Sequence, residues 1–235
     1  DVLVYGETGR FSLEYYAKKR VINFWSRILC GDHNKLTYLT YSLCKHRYDS
    51  GQPTSEWFSN IVSLLNDYGI HSIPESIDDV KATVKHILSA MNLEYVNKWE
   101  EQVVTSAKCS SLYKHVKSVF EREHYLTKLP FNLRLALSRI RTSNHKLPIE
   151  VGRYERRRVP REERICHMCE SGQVGDEFHF LLTCGNPELL VLREKYISPY
   201  YTINPSMEKL NDLFNNKGRK IFKLARYVEE GLKLY

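Results

Sequence analysis

Residues 166–184 read Cys-His-Met-Cys-Glu-Ser-Gly-Gln-Val-Gly-Asp-Glu-Phe-His-Phe-Leu-Leu-Thr-Cys, which sets Cys166, Cys169, His179 and Cys184 in a C-x2-C-x9-H-x4-C array. Two thiolates three residues apart can grip one ion from a tight loop. A His and a Cys five apart can close a tetrahedron from a short helical turn, where spacing near four shares a face. Sulfur mixed with imidazole suits Zn2+, and four protein ligands leave no position for water, so the site reads as structural. The alternative is a redox C-x-x-C pair, which belongs at a strand-to-helix junction of a βαβ pattern, and no such pattern surrounds it. His167 is the competing ligand; lying between the two thiols, it is expected to point away.

Outward from the array, the 235-residue chain is long enough for one large domain or two small ones with a real core. No apolar run approaches membrane-span length and no charged-then-apolar leader opens the chain, so neither a membrane nor a secretory route is expected. The sequence starts at Asp1 without Met and reads as a piece of something longer. Cys30, Cys44 and Cys109 lie apart from the array in helical patterns, as buried free thiols of a reducing, intracellular compartment would.

Charge is distributed unevenly. Residues 128–164 hold eleven Lys/Arg and four Glu, which accounts for the whole net charge of +7 and leaves the remainder neutral. Such a segment is the footprint of a polyanion binder, whereas solvated faces mix signs. Arginine dominates it, and a planar guanidinium pairs bidentately with phosphate and stacks on bases. Arg153, Arg156, Arg157, Arg158, Arg161 and Arg164 are therefore expected on backbone phosphates. Tyr154 is placed to stack on an unpaired base, and Arg139, Arg141, Asn144 and His145 to line the same surface. Two blander readings are an arginine face paired with Glu150, Glu155, Glu162 and Glu163, and a nuclear-import signal.

Helical periodicity fills most of the remaining chain, and the predicted class is mainly α. Gly6 and Gly9 are expected to break any element near the start. Leu13, Tyr16, Ala17, Val21, Phe24 and Ile28 form the predicted inner stripe of a first helix. Leu36, Leu39 and Leu43 do so for a second, over about 34–49. A third is capped by Ser55 and buries Trp57, Phe58, Ile61, Leu64 and Leu65. Ser76-Ile77-Asp78-Asp79 reads as a cap with carboxylates at the positive end of the dipole, opening a long helix through Val103. A metal-binding polymerase pair would instead sit on a hairpin, and here a helical period follows at once. Further helices are predicted over about 111–126 and after Pro130, then an extended 147–154 because Pro148 disfavours helix before it and Gly152 permits a turn. A short helix follows Pro187, and a C-terminal helical hairpin comprises 206 to about 216 and 219–235.

The run Arg139-Ile140-Arg141-Thr142-Ser143-Asn144-His145-Lys146-Leu147-Pro148-Ile149-Glu150-Val151-Gly152-Arg153, with Pro160-Arg161-Glu162-Glu163-Arg164-Ile165-Cys166 and Asp176-Glu177-Phe178-His179-Phe180-Leu181, resembles the region after the reverse transcriptase in invertebrate LINE-type (non-LTR) retrotransposon proteins. Tyr5-Gly6-Glu7-Thr8-Gly9-Arg10-Phe11-Ser12-Leu13, with Phe24-Trp25, is similar to the segment after the polymerase thumb there. The resemblance covers about 128–197 and 1–30. It implies a parent enzyme that copies element RNA at a nicked target, an upstream polymerase in the native chain, and a Cys-rich part that holds RNA or target DNA. The array departs from a retroviral-type knuckle, whose middle gap is shorter. The polymerase hairpin is missing, and so is the Pro-Asp dipeptide of the nuclease that some relatives carry.

The expected organisation is a helical body over 1–127, a basic zinc-bound module over 128–197 and C-terminal helices over 198–235. Its expected work is non-catalytic binding of RNA or DNA in the nucleus and cytoplasm, with no membrane and no small-molecule substrate. One rival is a zinc-stapled helical adaptor for an acidic protein partner. Another is an enzyme using Cys109 with His115 or His124, which has no triad-like signature behind it.

Overall fold

The computed structural model describes residues 2–106, 109–157 and 159–235. It is 66% helical, with no β-strand among the described residues. The helices run α1 Val2–Thr8, α2 Leu13–Leu29, α3 Leu36–Asp49, α4 Glu56–Asp67, α5 Ile77–Thr105, α6 Ser111–Val116, α7 Tyr125–Lys128, α8 Phe131–Arg141, α9 Pro148–Tyr154, α10 Pro187–Tyr196, α11 Pro199–Thr202, α12 Met207–Asn215 and α13 Arg219–Gly231. None of them is long and apolar enough to cross a membrane. Packing divides the chain into Phe11–Lys98 and a second unit joining Asp1–Arg10 to Trp99–Tyr235. That differs from the expected breaks at 127/128 and 197/198. One core runs through Leu112, Leu133, Phe180, Leu213 and Val228, so the basic segment, the Cys/His array and the last helices share their interior.

In the unit of residues 11–98, hydroxyl caps start three of the helices, at Ser55 and Ser76 as the sequence predicts and also at Ser12. Ser12 accepts from the Tyr15 N–H, Ser55 from Phe58 and Ser76 from Asp79, each satisfying a donor that the first helical turn leaves open. The Asp78-Asp79 pair thus sits on a helix start. Gly69 ends α4 at φ +75°, and the following Ile70 N–H returns to the Leu65 carbonyl, a left-handed turn that a β-carbon would strain.

Two predicted stripes turn largely outward, although Ile28 of α2 is buried and Val21 packs on the core as expected. In α2 the buried residues are Tyr15, Ile22, Trp25 and Ile28, while Leu13, Tyr16 and Phe24 are exposed. In α3, Tyr41 is buried with Tyr38 and Cys44 packed beside it, and Leu36, Leu39 and Leu43 point outward. Each helix carries two competing apolar stripes. The one bearing the larger aromatic area turned inward, and aromatics bury the most surface per residue.

In the other unit, α8 packs on α13, which in turn packs on α10 and α12. Leu133, Leu137 and Ile140 of α8 face Leu224, Tyr227 and Val228 of α13 across this core, all almost fully buried. Four further expectations are corrected here. The opening segment is helical: Gly6 lies inside α1, where a β-carbon would come 2.7 Å from the Trp99 ring. The predicted helix over 111–126 stops at Val116, because Lys117 turns inward to donate to the Glu121 carbonyl and pair with Glu123. Residues 148–154 form α9 instead of an extended strand: Pro148 occupies the first helical turn, where its missing N–H costs nothing. The fourth concerns Gly152, read as a turn; it is an interior helical residue whose bare Cα admits the Arg164 side chain.

Candidate metal centre and basic surface

The array closes through two local devices. Cys166 and Cys169 share a loop whose ends are zipped by the Cys166 N–H to Gln173 carbonyl bond (2.8 Å) and turned at Gly172, φ +65°. His179 and Cys184 sit at either end of a π-helical turn, His179–Thr183, with the Cys184 N–H bonded to the His179 carbonyl at 2.7 Å. A spacing of five residues overshoots an α-helical turn, and the wider π turn restores both side chains to one face. Asp176 starts that turn by accepting from the His179 N–H at 3.0 Å.

The four ligand atoms all lie within 4.8 Å of one another. Cys166 Sγ is 3.9 Å from Cys184 Sγ, and Cys169 Sγ is 3.2 Å from His179 Nε2. His179 Nδ1 lies 2.9 Å from Gln173 Oε1 and 3.0 Å from Thr183 Oγ1. A proton on Nδ1 donated to Gln173 leaves the Nε2 lone pair facing the sulfurs, the outer-shell arrangement that fixes a ligating imidazole. Burial pushes the Cys184 thiol up to about 12, with Cys166 beside it adding to the effect. Burial also raises Cys169, but hydrogen bonds from Ser171, Gly185 and His179 outweigh it and bring that thiol down to about 6. His167 is exposed, its ring edge-on to Tyr235, and takes no part in the cluster.

Sequence reasoning missed the residues that hold the turn. A π turn leaves carbonyls without α-helical partners, and buried Arg193 collects them, donating to Leu181, Cys184 and Phe180. The Tyr227 hydroxyl adds a 2.6 Å bond to the Phe180 carbonyl. An arginine directly after the apolar run Leu189–Leu192 was the available signal. Gln173 gave none.

The basic segment divides in two. Three predicted nucleic-acid contacts are interior, which corrects the expectation. Arg141 is fully buried and donates to both oxygens of Glu7, with Glu123 at 3.1 Å. The His145 side chain is shut from solvent and meets Glu177 at 3.2 Å. Arg164, 9% exposed, donates to the Val159 carbonyl from Nε and Nη2 and to the Ile149 carbonyl from Nη1. Both guanidiniums are bound to protein oxygens inside the fold, although Arg141 Nη1 has no hydrogen-bond partner. Arg153 pairs with Glu150, and half-exposed Arg161 with Asp176. Arg139, Asn144, Arg156 and Arg157 are exposed without an ion-pair partner among the described residues, and Tyr154 is 80% exposed beside the Arg153 guanidinium. Arg158 lies outside the described residues. Cys109 is buried, which pushes its thiol up, and neither His115 nor His124 bonds to it.

Three thiols and an imidazole gathered inside a helical core define a Cys3His cluster that could hold a metal ion. No protein family, curated protein or solved structure matches the chain.

Proposed function

We propose that this chain is a metal-ordered, non-catalytic nucleic-acid-binding part of a retrotransposon reverse transcriptase, holding RNA or target DNA by its phosphates. The observation that carries the reading is the end of α9. There Tyr154 stands exposed between Arg153 and the solvated Arg156 and Arg157, which have no ion-pair partner among the described residues. Guanidiniums flanking an aromatic face suit a single strand, with phosphates on the charges and a base on the ring. Arg139, Asn144 and Arg161 are the remaining expected contacts that reach solvent.

The cation of this reading is Zn2+, held by Cys166, Cys169, His179 and Cys184, and the donor set of three sulfurs and one nitrogen fits it. Bound there, it supplies no reaction chemistry and neutralises buried thiolates. Its consequence for binding is positional. The Gly175 carbonyl accepts from the Ile149 N–H, and the Gly175 N–H donates to the Arg164 carbonyl, so the ligand loop is laced to α9 and its arginines.

Fluorescence anisotropy with labelled single-stranded RNA and DNA across a salt series tests the reading. Affinity should fall by about 0.7 log units per phosphate contact for each decade of salt. Arg156→Ala with Arg157→Ala should flatten that slope. A salt-independent affinity, or no binding by the folded zinc form, overturns the proposal and favours the adaptor.

A further inference from the structure

A cavity of about 250 Å³ opens between α6, α9 and the loop before Cys166, lined by Ile149, Glu150, Arg153, Arg161, Arg164 and Glu177 among others. A second, of about 400 Å³, shares Ser111, Arg161 and Glu177 with it and adds the apolar Leu112, Phe178 and Met207. Most charges here are already engaged. Arg164 is saturated by backbone carbonyls, and Glu150 accepts from Arg153 with both oxygens. Two groups are not. Glu177 is 5% exposed; its Oε1 meets Ser143 and His145, and its Oε2 has no partner among the described residues. Arg161 gives one nitrogen to Asp176, and its other N–H groups have no partner among the described residues. Both side chains line both cavities.

The lining decides what can enter. A lysine or arginine side chain would meet Glu177 but also three guanidiniums. A phosphate would meet the guanidiniums but also two carboxylates. Glu177 Oε2, open to the cavity and without a protein donor among the described residues, favours a ligand that brings a donor to it. The complement is a flat, neutral group with donors on one side and acceptors on the other, set between apolar walls. We propose that this double cavity receives one unpaired guanine, with N1–H and N2–H directed at Glu177 and O6 and N7 at Arg161. Guanine is the base whose paired acceptors best match a guanidinium fork, and unstacked bases are read on such edges. The inference rests on the nucleic-acid reading above, and Arg153 links the two, lining the cavity beside Tyr154.

The test uses the full zinc-loaded chain and eight-nucleotide uridine RNAs carrying G, A or C at one central position. The G strand should bind on the order of tenfold tighter than the others. Glu177→Gln and, separately, Arg161→Ala should level the set while zinc content and helicity stay as in the parent. Arg161 is half-exposed, so its variant keeps the test open if Glu177→Gln fails to fold. Equal affinity for all strands, or a G preference that survives both variants, overturns the guanine site and leaves the phosphate surface standing. Absence of binding to every strand at low salt overturns both.

Discussion

The two units are both helical, yet they are held together by different means. Residues 11–98 form an oil-and-aromatic bundle: its buried set is Ile22, Trp25, Tyr41, Phe58, Ile61, Leu65, Ile87 and their neighbours, and its ion pairs are surface i,i+3 or i,i+4 pairs. The unit containing 99–235 buries Arg141 with Glu7, Lys117 with Glu123, His145 with Glu177 and Arg193 against carbonyls, and sets the Cys/His cluster in its core. Surface pairs contribute little to stability, whereas breaking a buried pair strands a charge. A basic segment is therefore two things at once here. Part of its charge holds the interior, and only the rest is available to a partner.

The sharpest way to break this contrast is to remove the metal. If the Cys/His cluster holds the proposed Zn2+, stripping it with a chelator, or making Cys184→Ser, should cost the 99–235 unit on the order of 10 kcal/mol of metal-coupled folding free energy. Hydrogen exchange should then lose protection in α10 and the His179–Thr183 turn, while α2 and α4 keep theirs. Uniform loss across both units would show that the bundle has no stability of its own.

Next in size is Glu7→Ala. It leaves the Arg141 charge buried without its main partner and should cost about 3–5 kcal/mol in urea unfolding. An effect below about 1 kcal/mol would mean that the pair is solvated in solution, as surface pairs are.

Tyr154→Ala sharpens the contrast from the other side. Stability should not move measurably, since the ring is exposed, while single-strand affinity should drop by about 1–3 kcal/mol. The smallest effect belongs to the bundle's caps. Ser55→Ala removes the bond to the Phe58 N–H and should cost about 1 kcal/mol, read as a shift in the thermal midpoint of a 11–98 probe such as Trp25 fluorescence.

How much of this could be read from the sequence follows from the range of each interaction. The ligand set was legible because C-x2-C and H-x4-C are constraints over a few residues, and the caps at Ser55 and Ser76 were legible for the same reason. The inner faces of α2 and α3 were not. Leu36, Leu39 and Leu43 make as good a helical stripe as Tyr38 and Tyr41, and only the neighbouring helices choose between them. The fate of the arginines was least legible of all. Arg141 and Arg139 look alike in sequence, but one meets a carboxylate 134 residues away and the other meets water. Arg164 was read as a phosphate contact, and nothing local announced that Gly152 clears a slot for it.

The five-residue turn between His179 and Cys184 has a consequence for how this region can vary. Its interior side chains Phe180, Leu181 and Leu182 can be exchanged for other apolar ones at modest cost, since their task is to fill space. Their number cannot change. Losing one residue would convert the loop of backbone into an ordinary α turn, swing the last sulfur roughly 100° around the axis, and take it out of the four-atom cluster. In this stretch it is the count between the ligands, more than the letters, that is under constraint.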